Sequence, residues 1–269
     1  MKKGRIASVV LMIIIIIYLL IPLAATAIYS LFANWTHLVP QGFTLQNYIT
    51  LFQNADFVQS LENSLLICIV PILITVLVVL LTLFVVTVYF PKLEKYVQLL
   101  CMIPYTIQGV ILSISIISLY SASDSFLGIR LVMLVGAYCI IILPYIYNGI
   151  RNSMHAVNMP MLLDAAEMLG DSKIAAFFKV IVPNIVSGIT VSSLLAVGII
   201  FGDYVLIRNI AGSTFENMQV YLYLAMKRSS TESAAVFVII MLITFVIAAV
   251  VLFLQSRSRL SRIESKEKD

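Results

Sequence analysis

Long apolar runs punctuated by short polar stretches recur along the whole chain, at about Ile6–Ala33, Leu61–Tyr89, Tyr96–Tyr120, Arg130–Ile150, Ile181–Ile207 and Ala234–Leu254. Each is long enough for an α-helix to cross the roughly 30 Å hydrocarbon core of a bilayer. In lipid, every backbone amide must be satisfied within its own helix or in a closed barrel, and these runs lack the alternation of barrel strands. The pattern therefore predicts an all-α integral membrane fold with six transmembrane helices. Runs longer than a perpendicular crossing needs are expected to tilt or to extend beyond the membrane face.

Composition agrees: 61% of residues are hydrophobic and 11% are charged, against about one quarter charged in soluble domains. With no fixed-period repeat, no Gly/Ser or Pro-rich linker and no soluble stretch long enough for a second core, residues 1–269 are read as one membrane domain. Lys2, Lys3 and Arg5 ahead of an apolar run, with Ala25-Thr26-Ala27 behind it, imitate a secretory leader. The run exceeds the roughly 7–15 residues of a leader core and five more runs follow, so the first helix is expected to be retained.

Charge sets the orientation. With both termini in the cytoplasm, Lys2, Lys3, Arg5, Lys92, Lys95, Arg151, Lys173, Lys179, Arg257, Arg259, Arg262, Lys266 and Lys268 lie inside, and only Arg130, Arg208, Lys227 and Arg228 lie outside. This is the asymmetry of the positive-inside rule, and it accounts for most of the net charge of +4 without a nucleic-acid partner. Cys68, Cys101 and Cys139 all fall within spans, with no metal-ligand spacing, and read as apolar packing.

The connections then alternate: residues 34–60 outside, 91–95 a tight cytoplasmic turn, 121–129 outside, 151–180 cytoplasmic and 208–233 outside. The fourth is long for joining two antiparallel helices, and loops of that length usually fold or work. Residues Met161–Leu169 read as a short helix with Pro160 in its first turn and Gly170 as its stop. Asp171 or Ser172 can cap a second helix from Lys173 towards Val182. Leu162, Ala165, Ala166 and Leu169 are expected on one face, with Asp164 and Glu167 beside it. Small alanines admit close approach by another protein, and the acidic pair offers partners to Arg or Lys. The alternative use, an interfacial helix resting on lipid headgroups, sets two acids against an anionic leaflet.

Within this loop Asp164-Ala165-Ala166, then Gly170, then nine residues to Val180, then Val182-Pro183 resembles the EAA motif of binding-protein-dependent ABC importer permeases: Glu-Ala-Ala, three residues, Gly, nine residues, Ile, one residue, Leu-Pro. Asp replaces Glu, Val replaces Ile and Leu, Gly188-Ile189 resembles the Gly-Ile that commonly follows, and Ser187 stands where many relatives have proline. The segments Gly42-Phe43-Thr44-Leu45-Gln46-Asn47-Tyr48 and Asn63-Ser64-Leu65 resemble the spermidine/putrescine, iron(III) and phosphonate branch.

The resemblance implies a coupling element that docks in a groove of a cytoplasmic ATPase. Asp164 takes the family glutamate's place, with Glu167 one turn away able to share its role. Ala165 and Ala166 permit close docking, Gly170 forms the turn and Pro183 marks the return to the membrane. It further implies a second permease subunit, identical or not, two ATPase subunits that bind ATP and Mg, an extracellular solute-binding protein, and alternating access in a bacterial-type inner membrane. A polyamine-like solute is favoured, with iron(III) or phosphonate as alternatives. This chain carries no Gly-rich phosphate loop, so no catalytic residue and no cofactor is assigned to it.

A translocation path needs polar groups facing the bundle interior. Gln108, Ser115 and Ser118 are spaced to share a face of the third span, Tyr145 and Asn148 pair on the fourth, and Thr190 and Ser193 on the fifth. Such residues also serve helix packing. Asp203, roughly 30 Å along the fifth span from Pro183 at about 1.5 Å per residue, can receive a cationic substrate near the outer face, or be an interfacial residue partnered by Arg208 or water. Pro22, Pro71, Pro104 and Pro144 are candidate kinks. A secondary carrier would carry ionisable residues deep in its spans and a pseudo-symmetric repeat. An intramembrane hydrolase is disfavoured because His37 and His155 fall in loops without a serine elbow or zinc-binding helix. A non-transporting assembly subunit shares the composition but has no use for the motif.

Overall fold

The computed structural model describes residues 2–34, 41–121, 126–212 and 214–266. His37 and Lys268, named above, lie outside them. The described chain is helical apart from one short hairpin, and α1 (Lys2–Ser30), α3 (Ala55–Tyr89) and α6 (Arg130–Ala156) each run unbroken through an internal proline, Pro22, Pro71 and Pro144. Between the first two, β1 (Phe32–Asn34) and β2 (Gln41–Phe43) pair antiparallel with Phe32 opposite Phe43, and α2 (Gln46–Gln53) follows.

Among the described residues five helical stretches are long and apolar enough to cross a membrane: Val10–Ser30, Ala55–Tyr89, Arg130–Ala156, Lys173–Phe201 and Ser230–Phe253. The remaining expected span, Tyr96–Tyr120, is bent, and it makes a sixth where its two arms count as one. After the one-turn helix Pro91–Leu93, α4 (Glu94–Met102) tightens into a 3-10 turn at Ile103–Thr106, Ile107 and Gln108 are extended, and α5 (Gly109–Tyr120) starts afresh at 100° to the first arm. Pro104 causes the break, because it has no N–H for the carbonyl of Leu100 and its ring obstructs that turn. Of the candidate kinks, Pro104 is thus the one at which an expected span divides into two arms among the described residues.

Other boundaries shift for local reasons. The second span begins at Ala55, ahead of Leu61, and the fourth continues past Ile150 to Ala156, shortening the connection that follows. Next come α7 (Met159–Met168) and α8 (Lys173–Ala176), the latter continuous through a π-turn at Phe177–Ile181 with α9 (Val182–Phe201). The expected second short helix is thus the foot of the fifth span. The π-turn lies just before Pro183, where the missing N–H loosens the ladder. A second π-turn, Ile207–Ala211, leads to α10 (Met218–Arg228) and α11 (Ser230–Lys266).

The chain forms two compact units, one of the residues up to Leu61 with Val220–Ile243, the other of Glu62–Gln219 with the helix from Thr244 onward. In the first, buried Phe57 meets the rings of Phe52 and Tyr221 at 5.4 and 5.5 Å, and Tyr48 shares a 2.6 Å hydrogen bond with the hydroxyl of Ser30. In the second, α6 buries Leu134, Tyr138, Ile142, Ile146 and Ile150, one helical stripe, and packs along α9. Glycines set that distance: a Cβ built on Gly188 would overlap Ser153, and one on Gly149 would overlap Ser192. Small residues are how membrane helices approach closely enough for backbone contact.

Candidate functional site

The connection between the fourth and fifth spans begins at Asn158, the only non-glycine residue with positive φ (51°) among those described. Asn tolerates this left-handed geometry better than most residues. It turns the chain from α6 into α7, with Pro160 in the first turn as the sequence predicts. α7 starts at Met159, and its inward face is Met159, Leu163 and Ala166, of which Leu163 and Ala166 pack with Ala176, Val88 and Val180. The expected face is corrected accordingly: Leu162 is half-buried, Ala166 turns inward, and Ala165 and Leu169 turn outward.

Gly170 ends α7 at φ 93°. Its N–H donates to the Glu167 carbonyl (2.9 Å) and the next, that of Asp171, donates to the Ala166 carbonyl (3.1 Å). This pair of bonds is the Schellman arrangement, which needs a left-handed residue where Gly170 stands. Ser172, rather than Asp171, caps α8, its hydroxyl accepting from the Ala175 N–H at 3.3 Å. Asp171 instead pairs with Lys179 at 3.1 Å.

The two candidate acids now differ. Glu167 lies 3.6 Å from Lys173, an ion pair closed within the element. Asp164 is exposed and makes neither a hydrogen bond nor an ion pair among the described residues. Around it Met161 is 68% exposed, Met168 and Leu169 are each 89% exposed, and Ile174 is 57% exposed. An unpaired carboxylate among exposed flexible apolar side chains is a surface suited to another protein. Pro183 sits in the first turn of α9, eleven residues on from Ser172, where the chain has already become the fifth span.

The polar residues of the spans divide in two. At the break, Tyr105 meets Tyr145 of α6 edge to face at 5.0 Å, and the amide of Asn148 donates to the Met102 sulfur at 3.4 Å. The bend therefore gathers Met102, Tyr105, Tyr145 and Asn148. Gln108 stands at the bend, exposed and with extended backbone, so the shared helical face expected for it with Ser115 and Ser118 does not form. Ser115 and Ser118 are exposed on α5, whose inward side is Leu112, Ser113 and Ile116. Thr190 spends its hydroxyl on the Val186 carbonyl one turn back, and Ser193 is half-buried.

Asp203 lies two residues past the end of the fifth span. Its Oδ2 accepts from the Leu206 N–H at 2.9 Å and the Tyr138 hydroxyl at 3.1 Å, while its backbone carbonyl accepts from Asn217 at 3.0 Å. It caps the next helical turn and ties it to α6, so the expected partnership with Arg208 is replaced by one with Tyr138. Sequence reasoning missed Tyr138, and it also missed Glu94, whose Oε1 accepts from Arg151 Nε at 2.8 Å, lies 2.8 Å from Nη2 of the same guanidinium in an ion pair, and lies 3.2 Å from His155. In each case the partners are too far apart in the chain for local spacing to reveal them.

The family model of the binding-protein-dependent transport system inner membrane component matches residues 92–262, more than half of the chain. No curated protein matches. Two solved structures are similar over almost their whole length. One, a bacterial ABC transporter involved in the import of the acidic polysaccharide alginate, aligns with a TM-score of 0.66 and 18% identity over 93% of this chain and 94% of that one. The other, a bacterial alginate ABC transporter in complex with alginate pentasaccharide-bound periplasmic protein, aligns with a TM-score of 0.68 and 18% identity over 96% and 95%. At that identity the likeness speaks for the fold, whereas the matched family spans the bent crossing, the α7 loop and the last three helices. The chain therefore belongs to the binding-protein-dependent transport system inner membrane components, the multi-pass permeases of ABC importers.

Proposed function

We propose that this chain forms half of the translocation pore of an ATP-driven importer, with α7 and its Gly170 turn as the coupling element that docks on a cytoplasmic ATPase. The observation that carries the reading is Asp164, unpaired and exposed amid Met161, Met168 and Leu169 on a helix whose opposite face is packed. Asp164 would meet a basic residue of the ATPase, while Glu167 holds the element together through Lys173. ATP and Mg would belong to two ATPase subunits, and a second permease, identical or not, would complete the pore. The positive-inside count supports cytoplasmic termini.

The path is proposed to run along the bend. Irregular backbone and an exposed amide at membrane depth are tolerated where they line a cavity or another protein, not lipid, and discontinuous helices commonly mark binding sites in transporters. Gln108, with Tyr145 and Asn148 behind it, would therefore line the path, joined by Ser115 and Ser118. Thr190 and Ser193 on α9 are secondary candidates. Asp203 is already engaged by Tyr138 and Leu206, which argues for an architectural part in place of a cation receptor. A polyamine-like solute is the working assignment, resting on the segments around Gly42–Tyr48 and Asn63–Leu65; the neutral lining at the bend does not itself select it over iron(III) or phosphonate.

The test reconstitutes the chain with its ATPase, second permease and binding protein, and measures ATP hydrolysis across a panel of loaded solutes. Stimulation by one solute, abolished in an Asp164→Ala/Glu167→Ala variant, is the expected result. Transport without ATP hydrolysis would instead establish a secondary carrier.

A further inference from the structure

A second polar feature lies within the first compact unit. Asn47, Thr50, Leu51 and Asn54, from α2 and its end, and Ser229 and Glu232, at the start of α11, line a cavity of about 330 Å³. Its hydrogen-bonding capacity is lopsided. Both N–H groups of Asn47 are used, on the carbonyls of Ser30 (2.9 Å) and Phe32 (3.1 Å). The Thr50 hydroxyl donates back to Gln46 at 2.9 Å, and Asn54 donates to the Tyr221 hydroxyl at 3.3 Å. That hydroxyl in turn donates to Glu232 Oε1 at 3.2 Å. Burial, reinforced by the Glu232 carboxylate, pushes the Tyr221 phenol up to about 12, so it stays a donor at any physiological pH.

What is left over accepts. On the lining residues the second oxygen of Glu232, the amide oxygen of Asn47 and the lone pairs of Thr50 remain as acceptors, while the donors are mostly committed elsewhere. One carboxylate with neutral acceptors around it suits an organic cation with several N–H groups. Among the described residues no three His, Cys, Asp or Glu side chains gather as a metal would require. Leu51 supplies an apolar wall of the kind that the stem of a long basic side chain lies along while its head stays polar.

We infer that this cavity seats a basic side chain, an arginine guanidinium or lysine ammonium, projected by the solute-binding protein when it docks on the permease. The inference rests on the importer reading above, in which the connections carrying α2 and Ser229–Glu232 share the side opposite the coupling loop by span count.

The test uses the complete transporter in lipid nanodiscs, recording ATPase rate against the concentration of loaded binding protein at low and high salt. Glu232→Gln keeps an acceptor for Tyr221 and removes the charge; it is expected to raise the half-saturating concentration about tenfold, leave the maximal rate unchanged and flatten the salt dependence. Thr50 is exposed, and Thr50→Lys, which puts an ammonium of the chain's own beside Glu232, should do the same. A stimulated wild type with both variant curves unchanged, or with a lowered maximal rate and no shift in half-saturation, overturns this inference alone. Saturable binding of free arginine or spermidine that Glu232→Gln abolishes, without effect on docking, assigns the cavity to a small amine and overturns the protein partner. A wild type that no loaded binding protein stimulates overturns the importer reading together with this one.

Discussion

Arg151 pairs with Glu94, its Nε donating to Oε1 at 2.8 Å and its Nη2 lying 2.8 Å from the same carboxylate oxygen. Glu94 opens the first arm of the bent crossing, and Arg151 lies near the end of the helix that turns through Asn158 into α7. The pair thus links the arm that leads to the bend with the helix that leads into α7. Both side chains are only 23% exposed, so the charge-assisted bonds are partly shielded from solvent.

Removing either partner should therefore weaken both stability and coupling. A double-mutant cycle of Arg151→Ala and Glu94→Gln, followed by thermal unfolding in detergent, is expected to give an interaction energy of about 1–2 kcal/mol. Either single variant should also lower ATPase stimulation by the loaded binding protein. Strictly additive singles with normal stimulation would make the pair incidental.

Asp203 makes a prediction that separates architecture from substrate binding. Asparagine at this position keeps an acceptor for Tyr138 and for the Leu206 N–H. Asp203→Asn should accordingly retain transport, whereas Asp203→Ala should lose a helix cap and strand a buried phenol, costing roughly 1–3 kcal/mol. Loss of transport in Asp203→Asn with unchanged stability would return the residue to the substrate path.

These two relationships also mark what was legible in the chain. Spans could be read because lipid imposes long apolar runs, and the α7 loop could be read because a left-handed turn needs Gly170. The inward face of α7 is not legible from spacing alone, because Leu162/Ala165/Ala166/Leu169 and Met159/Leu163/Ala166 are both apolar stripes and only the packing of Val88, Ala176 and Val180 selects the second. Pro104 marks the third span as a candidate kink, but the 100° angle is not legible, because hydropathy averages across Pro104 and Gly109 without registering direction. The Asp203–Tyr138 contact joins residues 65 apart, and no local periodicity encodes it.

The proposed coupling role of α7 predicts different outcomes for neighbouring acids. Asp164→Ala removes an unpaired carboxylate and should leave the folded chain intact while weakening assembly with the ATPase about tenfold, the effect of one lost ion pair of about 1.4 kcal/mol. Glu167→Ala should loosen the Lys173 pairing, seen as faster proteolysis of the loop with a smaller loss of assembly. Gly170→Val forces a β-branched residue to φ 93°, costing at least about 1–2 kcal/mol in the turn, so it should insert normally yet fail to couple. Co-purification with the ATPase, measured beside membrane yield, decides all three; full assembly of Asp164→Ala would move the contact elsewhere.

The close packing of α6 on α9 gives the sharpest steric prediction. Gly188 faces Ser153 so closely that a Cβ added there would overlap the serine hydroxyl, which is itself fixed on the Gly149 carbonyl at 2.9 Å. Serine can swing away only by giving up that bond or by pushing the helices apart, and overpacking of this kind costs about 1–3 kcal/mol. Gly188→Ala should lower the melting temperature in detergent and reduce transport, because the helix that continues from α8 would no longer seat on the one that leads into α7. Ser153→Gly alone should be mild, losing one hydroxyl bond and some helix propensity. In the double variant the space taken at 188 is returned at 153, so stability and transport should recover together. Recovery of stability without transport would mean that the Ser153 hydroxyl, and not merely the helix spacing, takes part in the cycle.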